Sequence, residues 1–196
     1  MAKSRRNFIR KPPALGYRKL FIIATEGSDT EPEYFTIFSS KTITVKTLPS
    51  KKKTSPSQIL KRAKKHIAKE GLRKGDEVWL VIDRDTWEED ELNQVYQQCC
   101  LNKYSLALSN PKFEYWLLLH FEDGKGVTTI NCETRLKVSL PLFSKSHVEV
   151  TKLKPRINDA IKRAEQRDNP PCIDWPHHTG TTVYRLVKKL QGQVNG

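Results

Sequence analysis

The chain has no apolar stretch approaching the roughly 18 residues a membrane-spanning helix needs. Its longest apolar runs, residues 20–24 (LFIIA) and 116–119 (WLLL), are the size of core segments. The basic N-terminus is not followed by an apolar segment of signal-peptide type, so a cytoplasmic protein is expected. Cysteine is scarce: Cys99, Cys100, Cys132 and Cys172, with no Cys-x-x-Cys pair. Adjacent Cys99 and Cys100 do not make a zinc half-site, and reduced thiols are the plain reading. No internal repeat is visible. Acidic residues are missing from positions 1–19, where seven Lys or Arg stand, and again between Tyr34 and Ala68, where nine stand.

The charge that is present is one-sided. Lys and Arg number 35 against 22 Asp and Glu, a net charge of +13. A chain this basic meets a polyanion, nucleic acid first and an anionic membrane surface second. Seventeen aromatic residues argue against a disordered chain. The 196 residues suffice to bury one core without disulfides or structural metal.

Residues 1–17 read as a basic arm and residues 18–196 as one domain. Residues 18–25 (RKLFIIAT) predict a buried strand. A helix follows, with Thr30 and Glu33 as a capping box and Pro32 in its first turn. Residues 42–45 predict a second strand, 57–70 a helix, 77–82 a third strand and 104–108 a fourth. Thr86 and Glu89 suggest another capping box, opening a helix to about Leu101. Asn110 as cap and Pro111 as first residue predict a helix through Phe121. Helices over about 154–167 and 181–190 are expected. Strand and helix thus alternate through residue 121, an α/β pattern with a mostly parallel sheet flanked by helices and a helical C-terminal part.

In an open parallel sheet the crevice lies beyond the carboxyl ends of the strands. Glu26 directly follows the first strand, and Asp83 and Asp85 follow the third. If the strand stays extended, its period of two aims both aspartates to one side. Oxygen donors at close quarters suit Mg²⁺, which can hold and polarise a phosphodiester. Taken singly, each acid reads equally as a turn residue or a cap. Glu114, in the first turn of the helix after the fourth strand, lies at the same edge, and a dipole-favoured surface Glu is its plain alternative. Glu31 and Glu33 have capping explanations and rank behind these four. In the basic stretch, Lys51, Lys52 and Lys53 fall in a loop, and Lys61, Arg62, Lys64 and Lys65 on the outward face of a helix. A one-signed run this long points to phosphate contact. His177 and His178 read as a loop before a Thr-capped helix.

The strings Glu26-Gly27, Thr30-Glu31-Pro32-x-Tyr34-Phe35, Asp83-x-Asp85 and Ser109-Asn110-Pro111-x-Phe113-Glu114-x-Trp116-Leu117-Leu118 resemble the RloB-like family. The ending Thr181-Thr182-Val183-Tyr184-x-Leu186-Val187 fits it too, and the likeness spans residues 18–190. That family is similar to Toprim domains, the metal-binding catalytic fold of topoisomerases, bacterial primases and overcoming-lysogenization-type nucleases. The resemblance implies a catalytic Glu, here Glu26, a metal-binding pair, Asp83 and Asp85, and an additional site acid, Glu114. It implies Mg²⁺ or Mn²⁺ as cofactor. It also implies a place in bacterial anti-phage defence, encoded beside an ABC- or AAA-type ATPase. Many relatives carry a Cys before the Glu where this chain has Thr25, which touches nothing catalytic.

The expected activity is therefore a Mg²⁺-dependent nuclease, a toxic effector of abortive infection restrained by its ATPase. Asp83 and Asp85 would hold the metal, Glu26 would act as base or shared ligand, and Glu114 would assist. Its substrate is RNA (a tRNA among the options) or DNA, and self-association stays open. Two rivals remain: a non-catalytic module binding nucleic acid or the ATPase, and a primase-like nucleotidyltransferase.

Overall fold

A computed structural model describes residues 18–50, 55–84 and 87–194. The basic arm, Lys51, Lys52, Lys53, Asp85 and Thr86 lie outside the described residues. Among the described residues the sheet has five strands in the order β2-β1-β3-β4-β5, formed by β1 (Lys19–Thr25), β2 (Ile43–Leu48), β3 (Glu77–Asp83), β4 (Ser105–Asn110) and β5 (Gly180–Thr181). The first four run parallel and β5 is antiparallel to β4.

Burial explains why β1 and β3 are almost wholly apolar. Both faces of a parallel sheet are covered, so alternate residues serve two separate cores. Phe21, Ile23, Trp79, Val81 and Ala107 face one side. There α1 (Thr30–Phe35), α4 (Phe113–Leu118), α5 (Cys132–Ser139), α7 (Ile157–Arg167) and α8 (Val183–Val194) build the larger core around Tyr34, Trp116 and Leu186. Ile22, Ala24, Val78, Leu80, Ile82 and Leu108 face the other. They meet Ile59, Leu60 and Ala63 of α2 (Pro56–Glu70), Leu92 and Val95 of α3 (Glu89–Asn102), and Trp175. A short helix, α6 (Val150–Leu153), leads into α7.

The connections make the order informative. From β1 the chain steps outward to β2, then crosses back over β1 to β3 and on to β4. The direction reverses between neighbours β1 and β3, the switch point where open α/β sheets leave a crevice at the carboxyl ends.

Several local expectations are corrected. The N-cap of α1 is Asp29, so Thr30 and Glu33 form no capping box. The Thr30 hydroxyl donates to Lys145 O at 2.9 Å, and Glu33 Oε2 accepts Val148 N–H at 2.7 Å. Both side chains gain more by tying down a distant segment than by capping a six-residue helix. The α2 helix starts at Pro56, with Gln58 Oε1 accepting Ser55 N–H at 3.3 Å. The helix expected from Pro111 begins at Phe113 and ends at Leu118; the Asn110–Pro111 peptide is cis and Lys112 is extended. The last helix begins at Val183, and Gly180, expected as loop, and Thr181, expected to open that helix, form β5. Thr182 fastens it by donating N–H to Leu108 O and accepting Leu108 N–H on Oγ1, both at 2.9 Å. No helix of the described residues is long and apolar enough to cross a membrane.

Candidate active site at the carboxyl ends of β1 and β3

Glu26 leaves β1 with its backbone N–H still bonded to Val81 O of β3, at 3.1 Å. Its side chain turns to the same neighbour, Oε2 accepting Asp83 N–H at 3.2 Å. The indole N–H of Trp87 lies 3.2 Å from both Glu26 carboxylate oxygens. Asp83 is the last residue of β3, paired with Ser109 across the ladder. Its Oδ1 accepts Phe113 N–H, the first of α4, at 2.8 Å. One aspartate therefore bridges the ends of two strands and the start of a helix. The β3 strand ends at Asp83, and the expectation that Asp83 and Asp85 turn to one side falls on Asp85, which lies outside the described residues.

Glu114 is buried in the first turn of α4. Glu31 is buried as well, at 5% exposure, and its Oε1 accepts Gly27 N–H at 2.9 Å. A Cβ on residue 27 would lie 2.2 Å from Glu31 Oε2, so any larger residue there would displace the Glu31 carboxylate from this position. Burial pushes the Glu31 carboxyl up to about 7, with Glu114 and Glu26 adding like-charge repulsion. Asp83 is pushed well above the usual aspartate range, first by desolvation, then by Glu31, Glu114 and Glu26. The structure thus brings Glu26, Asp83 and Glu114 together and adds Glu31 to them.

Glu31 and Trp87 are the residues that sequence reasoning undervalued or missed. The capping explanation for Glu31 sufficed on its own terms. The signal that could have found it is the glycine after Glu26, a position that needs a missing Cβ. Trp87 carried no signal, because an indole N–H aimed at a carboxylate has no spacing rule.

The donor set is all carboxylate oxygen, and mutual repulsion already favours any charge that relieves it. That chemistry fits a hard divalent cation such as Mg²⁺. Among the described residues no group of three or more His, Cys, Asp or Glu side chains is arranged to hold a metal ion. A complete ligand set would therefore draw on Asp85 or on water, of which Mg²⁺ keeps several.

The basic residues separate. Arg62 does not face outward as expected: its guanidinium donates to Leu48 O at 3.2 Å and Thr25 O at 2.5 Å. It satisfies carbonyls at the ends of β2 and β1, and desolvation lowers its pKa. Lys64 Nζ donates to Gln98 Oε1 of α3 at 2.7 Å. Lys61 and Lys65 are exposed. His177 lies between Glu89 Oε1 (3.2 Å) and Asp174 (3.3 Å) and is not bonded to the four acids; His178 is exposed. His120 is buried among Tyr34, Trp116 and Phe121.

The α/β sheet with acids at its switch point sets the class of protein. The family model for RloB-like proteins matches residues 21–190, and the chain belongs to that family. No curated protein and no solved structure matches it.

Proposed function

We propose that this chain is a Mg²⁺- or Mn²⁺-dependent nuclease of Toprim type that cleaves phosphodiester bonds of RNA or DNA. In this reading it is the toxic effector of a bacterial anti-phage defence system, restrained by a partner ATPase. One observation carries the proposal: four carboxylates converge at the switch point of a parallel sheet, and burial, with like-charge repulsion added, pushes the pKa of two of them upward. Buried acids with raised proton affinity gathered at a crevice are the arrangement that functional sites use to hold a cation or a proton.

Glu26, Asp83 and Asp85 would hold the cation, which when bound supplies positive charge to a phosphate and acidity to a water. The chain does the rest. Trp87 fixes the Glu26 carboxylate through its indole N–H, leaving Glu26 suited to accept a proton from water. Glu31, near neutrality in its proton affinity, holds or releases a proton beside it. Glu114 adds negative charge from the start of α4. The exposed Lys61 and Lys65 and the Lys51–Lys53 run supply sequence-independent affinity for phosphate.

The test is end-labelled RNA and DNA incubated with wild-type and Asp83→Ala protein in Mg²⁺ and in EDTA. The wild type should shorten at least one of them in Mg²⁺ only, and Asp83→Ala should do so in neither while keeping its fold by circular dichroism. Cleavage by Asp83→Ala at the wild-type rate overturns the site. Binding unchanged by EDTA without cleavage would instead identify a binding module, and lengthening with nucleoside triphosphates a nucleotidyltransferase.

A further inference from the structure

The segment 144–148 is pinned to the helix that carries Glu31. Ser144 and His147 close a tight turn on each other, with N–H to carbonyl distances of 3.1 Å in both directions. Thr30 Oγ1 grips the carbonyl of Lys145 at 2.9 Å. Glu33 holds the far side, accepting Val148 N–H at 2.7 Å and lying 3.6 Å from His147 Nδ1. Thr30 and Glu33 flank Glu31 in sequence, so the turn is fixed at the rim of the carboxylate cluster. Its tip, Lys145 and Ser146, is exposed. Among the described residues the ammonium of Lys145 makes no hydrogen bond or ion pair.

Lys112 reaches the same place from β4. It precedes Phe113, whose N–H binds Asp83, and Glu114. Its ammonium likewise has no hydrogen bond or ion pair among the described residues. Lys112 and Lys145 are neighbours in charge: after Lys137, both help to hold the Glu133 carboxyl below its ordinary value. Beside Glu133, the thiol of Cys132 feels Glu114, Lys112 and Asp83. Two ammonium groups without partners among the described residues therefore stand on independently anchored backbone, one beside Glu114 in sequence and one on the turn tied to Thr30, whereas Arg62, bonded to the carbonyl that precedes Glu26, and Lys64 are already committed within the fold.

We infer that Lys112 and Lys145, with the 144–147 turn held by Thr30 and Glu33, are substrate-binding residues that grip backbone phosphates next to the bond to be cut. The inference rests on the nuclease reading for the words "bond to be cut"; the phosphate contact itself does not need cleavage. Two cations at the rim would offset the repulsion that the ionised carboxylates of the cluster exert on an incoming phosphodiester. Thr30 positions Lys145 and touches no substrate.

The experiment is fluorescence anisotropy with a fluorescein-labelled 20-nucleotide single-stranded RNA and its DNA counterpart, in EDTA, over a range of NaCl concentrations. Lys112→Ala with Lys145→Ala should weaken binding about tenfold and reduce the salt slope by about 0.7 for each phosphate no longer neutralised. Lys145→Arg should restore most of the affinity. Thr30→Val, which leaves Lys145 in place but unpinned, should weaken binding in the same direction, with melting temperature measured alongside. Lys74→Ala, an exposed charge in the loop before β3, should bind as wild type. Equal affinity for the double variant and wild type, or equal weakening by Lys74→Ala, overturns the inference. Because binding is read without metal, absence of cleavage by any variant would count against the nuclease reading and leave this result standing.

Discussion

Two buried titratable side chains pull the pH dependence of stability in opposite directions. The Glu31 carboxyl is raised to about 7, so the folded protein holds a proton that the unfolded chain has released. Its contribution is complete below the ordinary glutamate value and is lost as pH rises towards 7, by at most about 3 kcal/mol. Asp83, raised by burial and then by its acidic neighbours, acts with the same sign. His120 does the reverse. Its Nδ1 lies 3.1 Å from Trp116 O and must carry the proton, which leaves Nε2 to accept from Tyr34 Oη at 3.3 Å. Burial lowers its pKa to about 4, so stability is complete above the ordinary histidine value and is lost as pH falls, again by about 3 kcal/mol at most. Between pH 4.5 and 6.5 the two effects overlap. Urea unfolding of metal-free protein across that range should show stability falling more steeply with rising pH in His120→Gln than in the wild type. Glu31→Gln should shift the slope the other way. Parallel curves for all three proteins would mean that neither side chain titrates as its surroundings require.

At the scale of elements, the parts legible in the sequence are those whose burial is periodic or continuous. The apolar cores of β1, β3 and β4 and the Ile59, Leu60, Ala63 face of α2 reflect what water exclusion demands of a covered sheet. The acids Glu26, Asp83 and Glu114 were legible for a related reason, since strand ends fix where the crevice lies. What escaped was decided by interactions across long sequence distance. Thr30 and Glu33 look like a cap until residues 145 and 148 arrive, and Arg62 looks solvated until the carbonyls of Thr25 and Leu48 claim it. The β5 strand has two residues and no pattern at all; Thr182 defines it through the exchange of hydrogen bonds with Leu108. That clasp has a measurable value. Thr182→Val keeps the shape but leaves the buried Leu108 N–H without its acceptor, at a cost of about 1–3 kcal/mol. Chemical denaturation should read that loss, and amide exchange should show Leu108 losing protection first. An unchanged exchange rate at Leu108 would mean the clasp is not what holds β5 on the sheet.

For the whole molecule, the excess of +13 and the acidic crevice are one design with two salt responses. Monovalent salt would screen the lysines and weaken the proposed nucleic-acid binding in proportion to the phosphates contacted. In the proposed reading a divalent cation would act at the carboxylates instead, and there it would compete with protons. The raised proton affinity of Glu31 and Asp83 means that protons would leave if a cation took the site, which would couple its binding to pH. Isothermal titration with Mg²⁺ at pH 6.5 in two buffers of different ionisation enthalpy should therefore reveal proton release, diminishing towards pH 8.5 where the Glu31 carboxyl is already ionised. The same cation should raise the melting temperature more at pH 8 than at pH 5.5, because at the lower pH protons already relieve the repulsion and hold the site against metal. Asp83→Asn should abolish both the proton release and the pH-dependent shift in melting temperature. Monovalent salt at equal ionic strength should reproduce neither. If NaCl stabilises the protein as MgCl₂ does, the cluster is responding to screening alone and is not a cation site.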